Sequence, residues 1–459
     1  AAEWRLTMGW IVRTGLMALL GLGVAGCVVA DFSSDDPGFT EAPGAFEGRF
    51  LAVSDADMAG TAYADGQLEP FEGALDTMIL FDDGAAIATA PAPNSVISWP
   101  QIVDVHPSRP TAYVIETRGA ALAGLQAMES VYSEFPVGTA LNIFDTSGAD
   151  LDRTLELDGL LENPQSVEVS ADGRFLLIAQ DTDGAEIAIL PLDAEGLPER
   201  GEDGAPLIRT LALNPPYRKG DSERRLRVAH LSSDCQTLAV NVANVRVQFY
   251  RLALDGDGLP ERVAALGEPI DVGVRLAVGR WTPDGQYFLI TDVNSYESSL
   301  AMLTQRGGQV HVIAPPKGAS AARLVDSARV GRFAEGLEIS DDGTRIASIA
   351  MGRTYLPELP FLEVWPKRRT YSLHLLSLDL ETGELGILDE IRAAGVLPED
   401  VIFDETGRNL AVATFHRRKG ADRQRGFIDF FSITGEGEFI AQGKTQAVMR
   451  GPHDLVRLP

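Results

Sequence analysis

The chain has 459 residues, 45% hydrophobic and 23% charged, which excludes disordered, collagenous and coiled-coil classes and allows several ordinary domains or one large repeat-built one. Lys and Arg number 39 against 66 Asp and Glu, and the resulting net charge of −27 repels phosphate backbones and argues against a general nucleic-acid binder. Two cysteines build neither a disulfide framework nor a cysteine-rich zinc site.

The first element in chain order is an address. Residues 8–27 read MGWIVRTGLMALLGLGVAGC: a short start carrying Arg13, then an apolar run from Leu16 to Ala25 of signal-peptide length, too short to cross a bilayer comfortably. The run ends in Val24-Ala25-Gly26-Cys27, which resembles the lipobox of bacterial lipoproteins. That resemblance implies removal of residues 1–26, lipidation of Cys27 and anchoring in a bacterial cell envelope. With Val28 after the cysteine, it implies the outer membrane. Residues 1–7 lack a Met and precede a start at Met8, so they read as a start-site artefact. Gly21, Gly23 and Gly26 spell a dinucleotide-binding fingerprint, but no strand precedes it and no βαβ unit follows, so it carries nothing. Residues 27–45 are small, acidic and broken by Pro and Gly, and read as a lipidated cysteine on a flexible tether.

Residues 46–459 repeat one unit: a strand, a tight turn of Asp-Gly type, and a second strand. Clear copies start at Asn163 (NPQSVEVSADGRFLLIAQ), Trp281 (WTPDGQYFLITD), Ala334 (AEGLEISDDGTRIASIA) and Pro398 (PEDVIFDETGRNLAVAT). Weaker copies start at Trp99 and Arg224. A third strand and another turn follow, as in ILPLDAEGLPERG from Ile189 and YRLALDGDGLPERV from Tyr250, where the shared GLPER marks internal duplication. Four short strands per repeat without helical periodicity describe a β-propeller blade. The terminal GPHDLVRLP from Gly451 is a first strand lacking a second, and GRFLAVSD from Gly48 is a second strand lacking a first. Joined, they complete seven blades and close the ring. The expected fold is therefore all-β, a seven-bladed propeller of four-stranded blades. The strand pattern resembles the lactonase-like family, which includes YVTN-repeat proteins and the propeller-type 6-phosphogluconolactonases. The resemblance implies this fold and names lactone hydrolysis as one activity of the family, although no catalytic motif matches.

In a propeller, the loops joining strands 2 and 3 and those joining successive blades share one face. The long loops 117–139, 293–308, 351–370 and 415–426 fall there. Leu122, Leu125, Met128 and Tyr132 in the first are near helical spacing and predict a small lid helix. Segments 214–227, 351–370 and 415–426 carry five, four and five basic residues against two, two and one acidic, giving an acidic body a basic mouth. Arg218, Lys219, Arg224, Arg353, Arg368, Arg369, Arg417, Arg418 and Arg425 are the expected ligand-binding cations, because guanidinium forks grip carboxylate or phosphate. Along the axis the strand starts supply Gln101, Gln165, Arg225, Glu335, Glu399, Asp400, His453 and Asp454. Of these, His453, Glu399, Glu335 and Arg225 form an acid–base and anchoring set suited to an anionic lactone.

Two functions follow as expectations. One is an envelope lipoprotein that binds a partner protein, glycan or small anion through its basic long-loop face. The other is a lactonase-type hydrolase. No cofactor and no metal are expected: the six histidines lack zinc-ligand spacing, and neither a P-loop nor G-x-S-x-G is present. Cys235 reads as a buried apolar residue.

Overall fold

The structure, a computed structural model, describes residues 40–60, 62, 66–95, 99–121, 124–129, 134–221, 223–294, 307–352, 354, 370–417, 420–440 and 443–459. Seven separate antiparallel sheets follow one another along the chain. Blade 2 runs Val103–Val105, Thr111–Ile115, Leu141–Asp145 and Asp152–Leu157; blade 3 runs Pro164–Val169, Phe175–Gln180, Ile187–Pro191 and Arg209–Leu211. Blades 4 to 6 begin with Ala229–Leu231, Leu276–Trp281 and Ala334–Ile339. Blade 7 comprises Val396–Phe403, Asn409–His416, Arg425–Ser432 and Lys444–Met449. Blade 1 is assembled from both ends of the propeller: Pro452–Arg457 pairs with Arg49–Ser54, in the register Phe50↔Arg457 to Val53↔Asp454. The ring closes as the sequence predicts, and closure hides strand edges that an open array would expose.

Position within a blade decides burial. The second strand of blade 3, Phe175–Gln180, is buried at every residue because sheets flank it on both faces. The outermost strand of blade 2, Asp152–Leu157, is exposed or half-exposed throughout. The turns between first and second strands of blades 3 to 6 repeat one device. In blade 3 the Ser170 hydroxyl donates to Asp172 Oδ1 at 2.8 Å, and Gly173 follows in the left-handed region at φ 72°. In blade 4 the same position is Cys235, buried, at φ 56°.

Neighbouring blades are tied at the axis by side-chain oxygens. Asp454 Oδ2 of blade 1 accepts from the Ile102 and Val103 amides of blade 2. Asp104 Oδ2 accepts from Val169 N at 2.6 Å, Glu168 Oε2 from Leu231 N at 2.9 Å, and Asp400 Oδ2 from Leu455 N at 2.9 Å. Between blades 5 and 6 the tie is ionic, Arg280 Nε to Glu338 Oε2 at 3.2 Å. Inner-strand amides facing a channel have no further strand to pair with, and these carboxylates satisfy them.

In the 117–139 loop, residues 124–129 form an extended ribbon and Glu134 is helical. Ala127 bridges Gln67, Leu68 N donates to Gln126 O, and Met128 N donates to Gly66 O. The ribbon buries Met128 and half-buries Leu125; Leu122 and Tyr132 lie outside the described residues. In the tether segment, Thr40–Glu41 forms a fifth strand on blade 7, parallel to Lys444–Thr445. The signal and lipobox residues, Cys27 included, lie outside the described residues. Among those described, no helix is long and apolar enough to cross a membrane.

Candidate functional site at the axial channel

Aligning the inner strands on their Ser/Thr/Asp turns sorts the channel lining into levels. Two residues before His106, Ser170, Ser232, Thr282 and Ser340 stand Asp104, Glu168, His230, Arg280 and Glu338, and Asp404 and Leu458 hold the matching turn place in blades 7 and 1. Three residues earlier stand Gln101, Gln165, Arg227, Ala277, Glu335, Glu399 and His453. Strict alternation would turn residues three apart to opposite faces of a strand. The register shifts at Leu276/Gly279, Ala334/Leu337 and Pro398/Val401 are bulges that cancel this in blades 5 to 7.

The upper level holds the chemistry. The Glu335 and Glu399 carboxyl groups, both buried, hydrogen-bond to each other, which requires a proton between them. Burial, first, and mutual repulsion hold Glu399 well above the carboxylate range; burial raises Glu335, opposed by the nearby Arg275 and Arg227 charges. Gly336 permits the approach, since a Cβ there would fall 2.8 Å from the Glu399 carbonyl oxygen. His453 Nε2 lies 2.6 Å from Asn94 Oδ1. Asn94 spends its amide nitrogen on the Ser54 and Ala92 carbonyls, so its oxygen accepts and His453 carries its proton on Nε2. Burial pushes the imidazole down to about 3, leaving it neutral with Nδ1 unpartnered.

Guanidinium groups crowd the same level. Arg227 and Arg275 lie over the Trp99 ring at 5.9 and 6.0 Å. Arg227 is held by Glu223 at 2.7 Å, Arg225 faces Asp181 at 3.8 Å, and Arg118 donates to Asn163 Oδ1 at 2.6 Å. Burial lowers the Arg118 pKa, and the charges of Arg225 and Arg227 lower it further. Asp181 and Glu223 face four arginines, so the cluster favours an added anion. Above it, Met58, Leu68, Met128 and Phe135 from the long loops pack with Phe333, Leu397 and Phe415 into one apolar cluster that Trp99 joins.

Of the sequence-expected residues, the structure gathers Glu335 and Glu399, and buries His453 at the same level. Arg225 stands at the rim with Asp181, and Arg227 takes the axial position. Turn alignment identifies Arg227. Trp99 and Arg275 stand at the repeat position that Arg225 holds in blade 4, just ahead of the inner strand, whereas Arg118 lies on a loop outside the repeat. The described loop cations are mostly engaged: Arg218 with Asp271 at 2.9 Å, Arg417 with Asp429 and Arg425 with Glu41 at 2.6 Å, and Arg224 over Tyr217. Lys219 is exposed. Arg353, Arg368, Arg369 and Arg418 lie outside the described residues.

One acidic group has the spacing of a cation site: ligand oxygens of Asp55, Asp57 and Asp76 lie within 4.8 Å of one another. Asp76 Oδ1 accepts from Ala56 N and Asp57 Oδ2 from Ala121 N, so backbone amides already supply positive charge there.

No family model matches the chain, and no curated protein matches it. Solved structures do. A Lactobacillus plantarum protein is 13% identical with a TM-score of 0.56, covering 90% of this chain and 100% of that one. The periplasmic gluconolactonase PpgL of Pseudomonas aeruginosa is 18% identical with a TM-score of 0.54, covering 90% and 99%. A candidate 6-phosphogluconolactonase of Bacteroides fragilis is 13% identical with a TM-score of 0.54, covering 90% and 98%. At these identities the likeness is one of fold: a seven-bladed propeller with neighbours named as lactonases.

Proposed function

We propose that the upper channel binds a small anionic lactone and hydrolyses it. The observation that carries this reading is a proton-sharing carboxyl pair, Glu335–Glu399, beside a surplus of guanidinium groups. Arginine forks hold the anionic group and Trp99 offers a flat wall. The ionised member of the pair takes a proton from water as its oxygen bonds to the lactone carbonyl carbon. The protonated member donates to the ring oxygen as the acyl C–O bond breaks. Neutral His453, with a free Nδ1 lone pair, is a second acceptor at the same level. The fold neighbours named as lactonases support this choice over the long-loop face, whose described cations are mostly paired internally.

Turnover of a panel of aldonolactones, with and without phosphate or carboxylate groups, tests the proposal. Glu399→Gln should lower kcat by about 10²–10⁴-fold, while Arg275→Ala should act mainly on KM. Absence of any turnover above buffer abandons hydrolysis. Tight binding without turnover would then favour the second reading, an anion-binding module, which the arginine cluster supports by itself. We also propose that a lipid on Cys27 holds the propeller in a bacterial envelope, on the strength of the lipobox resemblance. A Cys27→Ser variant still sedimenting with membranes would refute that.

A further inference from the structure

Two strained turns stand directly ahead of the paired carboxyl groups. Seven residues before the turn places of blades 1, 3, 6 and 7 come Gly451, Asn163, Phe333 and Leu397. The backbone is left-handed at all four, at φ 83°, 55°, 58° and 52°. Glycine has no Cβ to clash there, and asparagine tolerates the conformation. Phe and Leu do not. Among the described non-glycine residues with positive φ, Phe333 and Leu397 are the two large apolar ones, the rest being Asp, Asn, Ala or Cys. Glu335 and Glu399 follow them by two residues, and each strand bulges there, at Ala334/Leu337 and Pro398/Val401. Bulges re-aim side chains, and here turn and bulge bring the two carboxyl groups into contact.

A strained turn persists only where its surroundings hold it. Met351 and Thr354, just beyond the second strand of blade 6 (Arg345–Ala350), hold both. The Met351 amide donates to the Phe333 carbonyl at 3.0 Å, and the Leu397 amide donates to Thr354 Oγ1 at 3.0 Å. The Thr354 hydroxyl in turn donates to the Met351 carbonyl at 2.8 Å. One fully buried side chain thus links the two turns across the boundary between blades 6 and 7. A hydroxyl suits the link because it accepts and donates at once. Met351 also packs with Phe333 and Leu397 in the apolar cluster over the channel. We propose that Thr354 is a positioning residue: by fixing the Leu397 turn to the Phe333 turn through Met351, its hydroxyl keeps Glu335 and Glu399 at proton-sharing distance. This brace rests on the hydrolytic proposal for its effect on rate, and not for its effect on the pair. The charged groups facing the pair are Arg227, Arg275 and Asp400, and a change at Thr354 alters none of them chemically.

Infrared titration of the full chain reads the pair through the carbonyl band of its protonated member, identified by its change in Glu399→Gln. Thr354→Val removes the hydroxyl and keeps the side-chain shape. With the carboxyl groups apart, the repulsion that retains their shared proton weakens, so the band should titrate away about one pH unit lower. For the lactone, kcat should fall about 10²-fold, while KM, set by the arginines, stays. Thr354→Ser should restore both the band and kcat. Should Thr354→Val fail to fold, Thr354→Cys, whose thiol is a weaker acceptor and donor, should give a smaller shift in the same direction. A band that titrates as in the parent in a folded variant without the hydroxyl overturns the brace, as does an equal shift in Thr354→Ser. If the parent turns over no lactone, the band alone decides. A shifted band with unchanged kcat would keep the brace and remove the pair from the hydrolysis.

Discussion

Glu168 offers a direct test of how the axis is charged. Its side chain is half-buried in the channel wall, and desolvation, with the Asp104 charge adding, lifts it from an ordinary 4.5 to about 8, against the Leu231 amide and Arg280. The folded protein thus keeps a proton that the unfolded chain releases above pH 4.5. Stability falls as pH rises through the window from about 4.5 to 8, at about 1.4 kcal/mol per pH unit for this group. Glu168→Gln removes the titration while preserving shape and an acceptor oxygen, at a cost of about 1 kcal/mol for the bond from Gln101. The difference in unfolding free energy, variant minus parent, should therefore grow by about 3 kcal/mol between pH 5 and 7.5. Urea unfolding followed by circular dichroism at the two pH values measures it. Parallel pH dependences in parent and variant would show that Glu168 is ionised in the folded state and refute the reasoning. The parent also has an acid limit. Buried His230 and His453, both held down to about 3, stay neutral while their unfolded counterparts protonate, so stability falls as pH drops below about 6.5.

Asp454→Ala should cost about 3 kcal/mol or more, because the buried Ile102 and Val103 amides lose their acceptor. Asp454→Asn keeps an oxygen there and should cost about 1 kcal/mol; equal urea midpoints for the two variants would contradict the inter-blade tie. Cys235 occupies a turn position that prefers glycine, at φ 56°, yet its thiol is buried. In Cys235→Gly the relief of left-handed strain, about 1–2 kcal/mol, should offset the lost burial. Cys235→Ala keeps the strain and should melt lower; the reverse order would sink the argument.

The blades were legible in the sequence because their signals are local. Alternation and the Asp-Gly turn lie within a few residues of each other, and the GLPER duplication exposed the repeat. Closure was legible too, since Gly451 onward and Gly48 onward are complementary halves of one hairpin. The site was half legible. Glu335 and Glu399 sit at a fixed distance from the turn residues Ser340 and Asp404, and His453 takes the matching place in the strand that closes the ring, so strand position alone brings them to the axis. Arg118 arrives on a loop between strands, where no period constrains it, and Arg275 and Trp99 stand just ahead of their inner strands, at the place Arg225 holds in blade 4, where strand alternation has not begun. The charge of the long loops misled for a related reason. Composition counts Arg218 and Asp271, or Arg425 and Glu41, in separate segments, while the fold sets each pair in contact.

The channel's chemistry follows from how a propeller spends its acids. Each inner strand has one neighbour within its blade, so its axis-facing amides need acceptors from the next blade. Asp104, Glu168, Asp400 and Asp454 meet that need and line the lower and middle levels with carboxyl groups. Glu335 and Glu399 are different. Their carboxyl groups bond to each other rather than to a neighbouring strand's amide, among arginines that no blade-to-blade tie requires. A group released from structural duty yet kept buried and proton-sharing is costly to stability, and that cost is the reason to seek function at the upper level first. The prediction above for Glu168 and the kcat prediction for Glu399 separate the two roles. A structural acid changes the pH dependence of unfolding when replaced, whereas a reacting one changes turnover.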